Sequence, residues 1–262
     1  MPREEELVIP TGVKSIDLLA GGGIGVGSLI LLYGPAQTFK SEFLATAAFV
    51  NAALREGHLT PPRRVKVPKE TWYVNFSKTP EEILSSVRTT FSKRFFEIFK
   101  RNVKFLDQSK DYSSLVGSMW GKKKAPDTRK FLLQLVNSLK KIGPDSQVFI
   151  YTLTDIARLL QDKPLEFLSF MEGLRSASHG WKGLVCGILR KGALPPALEE
   201  DILSASDGTF YFDVERVGGA DRYTLTVLAL AGVPTSALGQ VFEVSVGPDG
   251  FHAEAVKSVL GI

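Results

Sequence analysis

The segment Gly34-Pro35-Ala36-Gln37-Thr38-Phe39-Lys40-Ser41 carries the residues of this chain whose types and spacing most directly imply chemistry. A phosphate-binding loop has the form G-x-x-x-x-G-K-[ST]: backbone N–H groups wrap the phosphates, the lysine reaches the outer ones and the hydroxyl holds magnesium. Gly34, Lys40 and Ser41 keep that spacing, and Thr38 lies between them. Phe39 stands where the second glycine belongs. Glycine at that point permits unusual torsions and a close approach of backbone to phosphate, so a benzyl side chain is expected to crowd the space. The alternative is that Lys40 and Ser41 merely start an ordinary helix, with Lys40 in solvent or in a local salt bridge.

Two cationic clusters are the next candidates. Arg63, Arg64, Lys66 and Lys69 lie close to Trp72, and Lys122, Lys123 and Lys124 lie close to Trp120. Basic residues interleaved with aromatics suit a groove that tracks a single-stranded backbone and stacks its bases. A solvated loop accounts for each cluster equally simply. Cys186 sits in the apolar run Leu184 to Leu189 and reads as a buried strand thiol rather than a nucleophile. His58, His179 and His252 are scattered, with no partner at metal-ligand spacing, so no structural metal site is expected.

The elements that must position these residues follow from length and pattern. With 262 residues, 44% of them hydrophobic, the chain can bury one large core, and a single domain over 1–262 is expected. Residues 1–10 read as an N-terminal extension, and 57–70 and 109–126 as exposed loops. The net charge of +4 permits an acidic or nucleic-acid partner without requiring one. The sequence shows no secretory start and no 18-residue apolar run, which points to a cytoplasmic protein with no membrane partner. Apolar runs alternating with helix-length segments predict an α/β fold with a mostly parallel central sheet flanked by helices. Strands are expected at 28–33, 71–76, 103–106, 147–153 and 183–189, with helices at 40–55, from Pro80 to about Lys100, at 128–142 and from Asp155 to about Ser178. Three closing strands, at 208–215, 223–230 and 241–246, are separated by short turns such as Gly218-Gly219 and are predicted to pair antiparallel. Phe91, Phe95, Phe96 and Phe99 fall at helical spacing and read as core.

Several stretches together resemble the RecA superfamily, and within it the KaiC family and archaeal Rad-type recombinase paralogs. They are Thr11 to Leu19, Gly21 to Ile24, Gly27 to Ile30, the loop at 34–41, Tyr73 to Glu82, Arg216 to Gly219 and Thr224 to Leu228. The likeness covers nearly the whole chain except 110–125. It implies a RecA-like, P-loop NTPase-type fold in which the loop is vestigial and the ATPase positions are degenerate. The family's acidic pair that activates the attacking water is matched here by Ser77 and Lys78. Its magnesium-organising aspartate, at a strand end, is matched by Tyr151, and Asp155 then opens the following helix. Its late-strand Lys-x-Arg pair, which reaches a neighbouring subunit's ATP, is matched by Ala229 and Ala231.

Phosphoryl transfer depends on positioning and on metal and cation charge, so the loss of these parts implies negligible turnover. The resemblance therefore implies a pseudo-ATPase that binds rather than catalyses. No cofactor is expected, and ATP or ADP held without hydrolysis is the alternative. Self-association or pairing with an active RecA-family relative is the first expected partnership, and single-stranded DNA the second. An ATPase completed in trans by a partner and a protein-only scaffold are the competing readings. If DNA binds at the surface the family uses, the cations there are only Arg158, Lys163, Arg190 and Lys191.

Overall fold

The computed structural model describes residues 7–117 and 127–256. The chain opens with β1 (Val8–Ile9), α1 (Lys14–Leu19) and β2 (Ile24–Gly25), and β1 pairs with β2 as a small antiparallel ladder. Val8 and Ile9 are buried, so this part of the expected extension belongs to the core. Next come β3 (Ser28–Gly34), α2 (Lys40–Arg55), β4 (Thr71–Asn75), α3 (Pro80–Thr90), α4 (Lys93–Asn102), β5 (Val103–Asp107) and α5 (Ser109–Gly117). After α6 (Thr128–Ile142) come β6 (Gln147–Tyr151), α7 (Leu153–Leu159), α8 (Pro164–Trp181), β7 (Leu184–Arg190) and α9 (Pro196–Ser204). The described chain closes with β8 (Gly208–Val217), β9 (Ala220–Leu230), β10 (Val241–Gly247) and β11 (Gly250–Ala255).

Nine strands form one sheet in the order β11-β10-β9-β8-β3-β7-β6-β4-β5. The strands from β8 through β3, β7, β6 and β4 to β5 run parallel, whereas β8 to β11 pair antiparallel in sequence. The fold is thus α/β, with a mostly parallel central sheet flanked by helices and antiparallel C-terminal strands. All seven residues of β3 are buried because helices cover both of its faces. Ile30 and Leu32 pack with Phe43 of α2 on one face, while Leu29 and Leu31 pack with Phe167 and Met171 of α8 on the other. In the antiparallel part only one face is covered: Leu225, Val227, Phe242 and Val244 point to the core, and Leu228 and Val241 are exposed. Gly218 and Gly219 form the two-residue β8–β9 turn with φ of 61° and 87°, torsions for which glycine is suited.

The structure corrects several sequence expectations. The helix expected from Pro80 to about Lys100 is broken, because Phe91 is extended and the Ser92 hydroxyl caps α4 by accepting from Phe95 N at 3.3 Å. The four phenylalanines are buried as predicted, and Phe91 stacks on Phe95 with centroids 4.1 Å apart. The expected loop at 109–126 contains α5, whose Tyr112 and Leu115 lie one turn apart and reach the core. Pro164 divides the helix expected from Asp155 into α7 and α8. The strand expected to run to Leu153 ends at Tyr151, which lets Leu153 begin α7.

Candidate functional site

Parallel strands bring their carboxyl ends to one edge of the sheet, where α/β proteins place ligands. The turn between β3 and α2 lies at that edge. Gly34 has φ of 148°, and a Cβ there would sit 2.0 Å from Phe212 O of β8. Only glycine lets the loop leave the sheet this close to its neighbour. Phe39 then takes the left-handed torsions φ 61°, ψ 19°, which glycine adopts most readily. Its ring packs against Tyr223 of β9, with centroids 4.5 Å apart, so part of the benzyl group that was expected to crowd the loop is taken up by the sheet. Phe43 N donates to Phe39 O at 3.0 Å, and the α2 amides before it form the open positive end of a sixteen-residue helix.

Lys40 is not in solvent. It is only 6% exposed, and its Nζ donates to Gly34 O at 3.2 Å, to Thr38 Oγ1 at 2.7 Å and to Pro35 O. Burial pushes its pKa down to about 8, partly opposed by the Glu42 carboxylate. Thr38 Oγ1 donates in turn to Pro35 O at 2.9 Å, so the lysine and the threonine brace the loop from beneath.

Ser41 is engaged by an aromatic residue. Its hydroxyl lies 2.8 Å from the Tyr151 hydroxyl, at the carboxyl end of β6. Lys78 Nζ stands over the Tyr151 ring, 5.7 Å from its centroid. Ser77, beyond the end of β4, donates from Oγ to Asp155 Oδ2 at 2.7 Å, and Tyr112 OH donates to Asp155 Oδ1 at 3.4 Å. The Asp155 carboxylate, placed by sequence in a following helix, therefore turns back toward the site from the first turn of α7. Burial raises the Glu42 pKa despite Lys78 and Lys40 nearby.

Ser41, Glu42, Ser77, Lys78, Tyr151 and Asp155 line a cleft of about 440 Å³, a volume that suits a small molecule. Arg158 of α7 and Arg190 at the end of β7 complete its wall. In the sequence these two arginines point only toward a DNA-binding surface. The available signal was position, since Arg190 ends a parallel strand on the ligand-bearing edge. Ala229 and Ala231 lie at the end of β9, exposed to solvent, and take no part in the cleft wall.

In the first cationic cluster Lys66 and Lys69 converge on one carboxylate. Lys66 Nζ donates to Asp145 Oδ1 at 2.5 Å and to Lys182 O at 2.7 Å, while Lys69 Nζ donates to Asp145 Oδ2 at 2.8 Å. Hydrogen bonds from Lys66 and Lys69 hold the Asp145 pKa down to about 2. Trp72 Nε1 donates to Glu70, and Lys104 stands over its ring at 5.4 Å, so this indole has local partners. Arg63 and Arg64 are exposed in the loop at 57–70. Lys122, Lys123, Lys124 and Trp120 lie outside the described residues. Cys186 is buried on β7, and burial pushes its thiol pKa up. Among the described residues no cluster of three His, Cys, Asp or Glu could hold a metal, and no helix is long and apolar enough to cross a membrane.

No protein-family model matches this chain, and a search among curated proteins gives no match.

Proposed function

We propose that the chain is a RecA-like protein, of the KaiC and recombinase-paralog kind, that does not hydrolyse ATP and acts in the cytoplasm as a binding or regulatory subunit. The observation that carries this reading is the 2.8 Å contact between Ser41 Oγ and the Tyr151 hydroxyl. Magnesium at a phosphate loop needs a serine or threonine oxygen and a carboxylate at the neighbouring strand end. Here that strand end presents a phenol, and the serine is already bonded to it. Of the two carboxylates in the cleft wall, Asp155 is 3% exposed and bonded to Ser77 and Tyr112, and Glu42 follows Ser41 on α2 instead of standing at the strand end. These residues do not fit a magnesium ion.

The remaining chemistry supports the same reading. Ser77 and Lys78 offer no base for an attacking water, and Ala229 and Ala231 offer no cation to a neighbouring subunit. An inserted arginine alone contributes about 10³–10⁵ in turnover where it operates. Partners of the kind proposed are a second copy or an active relative. The test is a steady-state ATPase assay with magnesium, alone and with Lys40→Ala. Turnover no greater than that of Lys40→Ala is expected. A rate on the order of 1 s⁻¹ that Lys40→Ala abolishes would refute the reading.

A further inference from the structure

The charges around the loop cleft are unbalanced in a way that hydrolytic machinery does not require. Its wall carries four cationic side chains, Lys40, Lys78, Arg158 and Arg190, against the two carboxylates of Glu42 and Asp155. Asp155 is turned onto Ser77 and Tyr112, and burial raises the pKa of Glu42 beside Lys78 and Lys40. Lys78, Arg158 and Arg190 are exposed, and none of them is in a salt bridge with a described carboxylate. The cations come from the start of α2 and from beyond or near the ends of β4, α7 and β7, and they line one cleft with the first residues of α2, whose amides also favour an anion.

We propose that this cleft binds a compact, multiply charged phosphate chain without a divalent cation: the Tyr151 hydroxyl holds Ser41 where an ion would, and Lys78, Arg158 and Arg190 supply the neutralising charge. The inference rests on the non-hydrolysing reading above and gives that site a ligand class. Arginine meets phosphate oxygens through paired, charge-assisted hydrogen bonds, which serve in place of ion coordination. A cleft of about 440 Å³ accommodates a triphosphate with or without a nucleoside. Magnesium cancels two charges of such a ligand, so here it competes with the protein's cations instead of bridging to them.

The test is isothermal titration of the full chain with inorganic tripolyphosphate and with ATP, each in excess EDTA and again in excess magnesium chloride. Affinity in EDTA equal to or tighter than in magnesium supports the inference. Equal binding of the two ligands assigns recognition to the phosphate chain, and tighter binding of ATP adds a nucleoside contact. The exposed variants Arg158→Ala and Arg190→Ala should each weaken binding about tenfold with unchanged melting temperatures. Binding about tenfold weaker in EDTA, binding indifferent to both arginines, or no binding of either ligand would each overturn it. None of these outcomes touches the absence of hydrolysis, which the ATPase assay decides separately.

Discussion

The contact between Ser41 and Tyr151 makes a quantitative prediction. Replacing Tyr151 with phenylalanine keeps the ring, which is 8% exposed, and removes only the hydroxyl 2.8 Å from Ser41 Oγ. A neutral hydrogen bond of this length contributes about 0.5–1.5 kcal/mol net. Ser41 is half-buried on the cleft wall, so water can reach its abandoned oxygen, and the cost should stay near 1 kcal/mol. Unfolding entropy of about 2.1 cal/mol/K per residue over 262 residues converts this into a melting-temperature drop of about 2 °C. The assay is urea denaturation of wild type, Ser41→Ala, Tyr151→Phe and the double variant. The two single costs should overlap, with a coupling energy of about 1 kcal/mol. Single effects that add to within about 0.3 kcal/mol would mean that the two hydroxyls are not bonded, and the argument against a magnesium site would lose its first observation. Tyr151→Asp restores a carboxylate at the strand end but neither base nor finger, so it should gain no magnesium-dependent turnover.

Other perturbations follow from the same geometry. Gly34→Ala must both strain φ at 148° and drive a Cβ against Phe212 O, so equilibrium unfolding should report a loss of at least about 3 kcal/mol. Burial raises the Asp17 pKa to about 6 from its ordinary 3.8, against hydrogen bonds from Thr11 and Gly12 that lower it. The native state therefore holds this proton more tightly than the unfolded chain, and its contribution to stability falls by about 3 kcal/mol as pH rises from about 4 to 6. Stability measured against Asp17→Asn should show that slope in the wild type only. Asp145→Asn weakens the hold on Lys66 and Lys69, so amide exchange in the 57–70 loop should quicken while the core strands keep their protection.

Where local pattern and tertiary demand agreed, the elements were legible in the sequence. Helix α2 starts at Lys40 and ends at Arg55, as its amphipathic run predicts, and α6 matches its expected bounds, with Asp127 accepting hydrogen bonds at its start. The break at Phe91 was hidden because the apolar spacing continues across it, and only the Ser92 cap marks the new start. Strand β11 was missed because Gly250 to Ala255 is rich in small residues and gains its strand form from pairing with β10. Asp145 reads as a turn residue, and nothing local links it to lysines 79 and 76 positions earlier in the chain. Motif spacing marked the loop at 34–41, whereas Tyr151 was singled out by the family resemblance alone; the structure puts its hydroxyl 2.8 Å from Ser41 Oγ. That Arg158 and Arg190 meet at one cleft is a property of strand order, which no single window of sequence contains.

Phe39 shows that a loop's path and its spelling can part company. Left-handed torsions in a residue with a side chain cost about 1–2 kcal/mol and persist where the surroundings over-determine them. Here the surroundings are the Tyr223 ring on one side and the first carbonyl bond of α2 on the other. The backbone trace is thus enforced from outside, and glycine becomes one way of writing it rather than its cause. Comparison by letters scores position 39 as a break, whereas comparison by torsion angles passes through it without interruption.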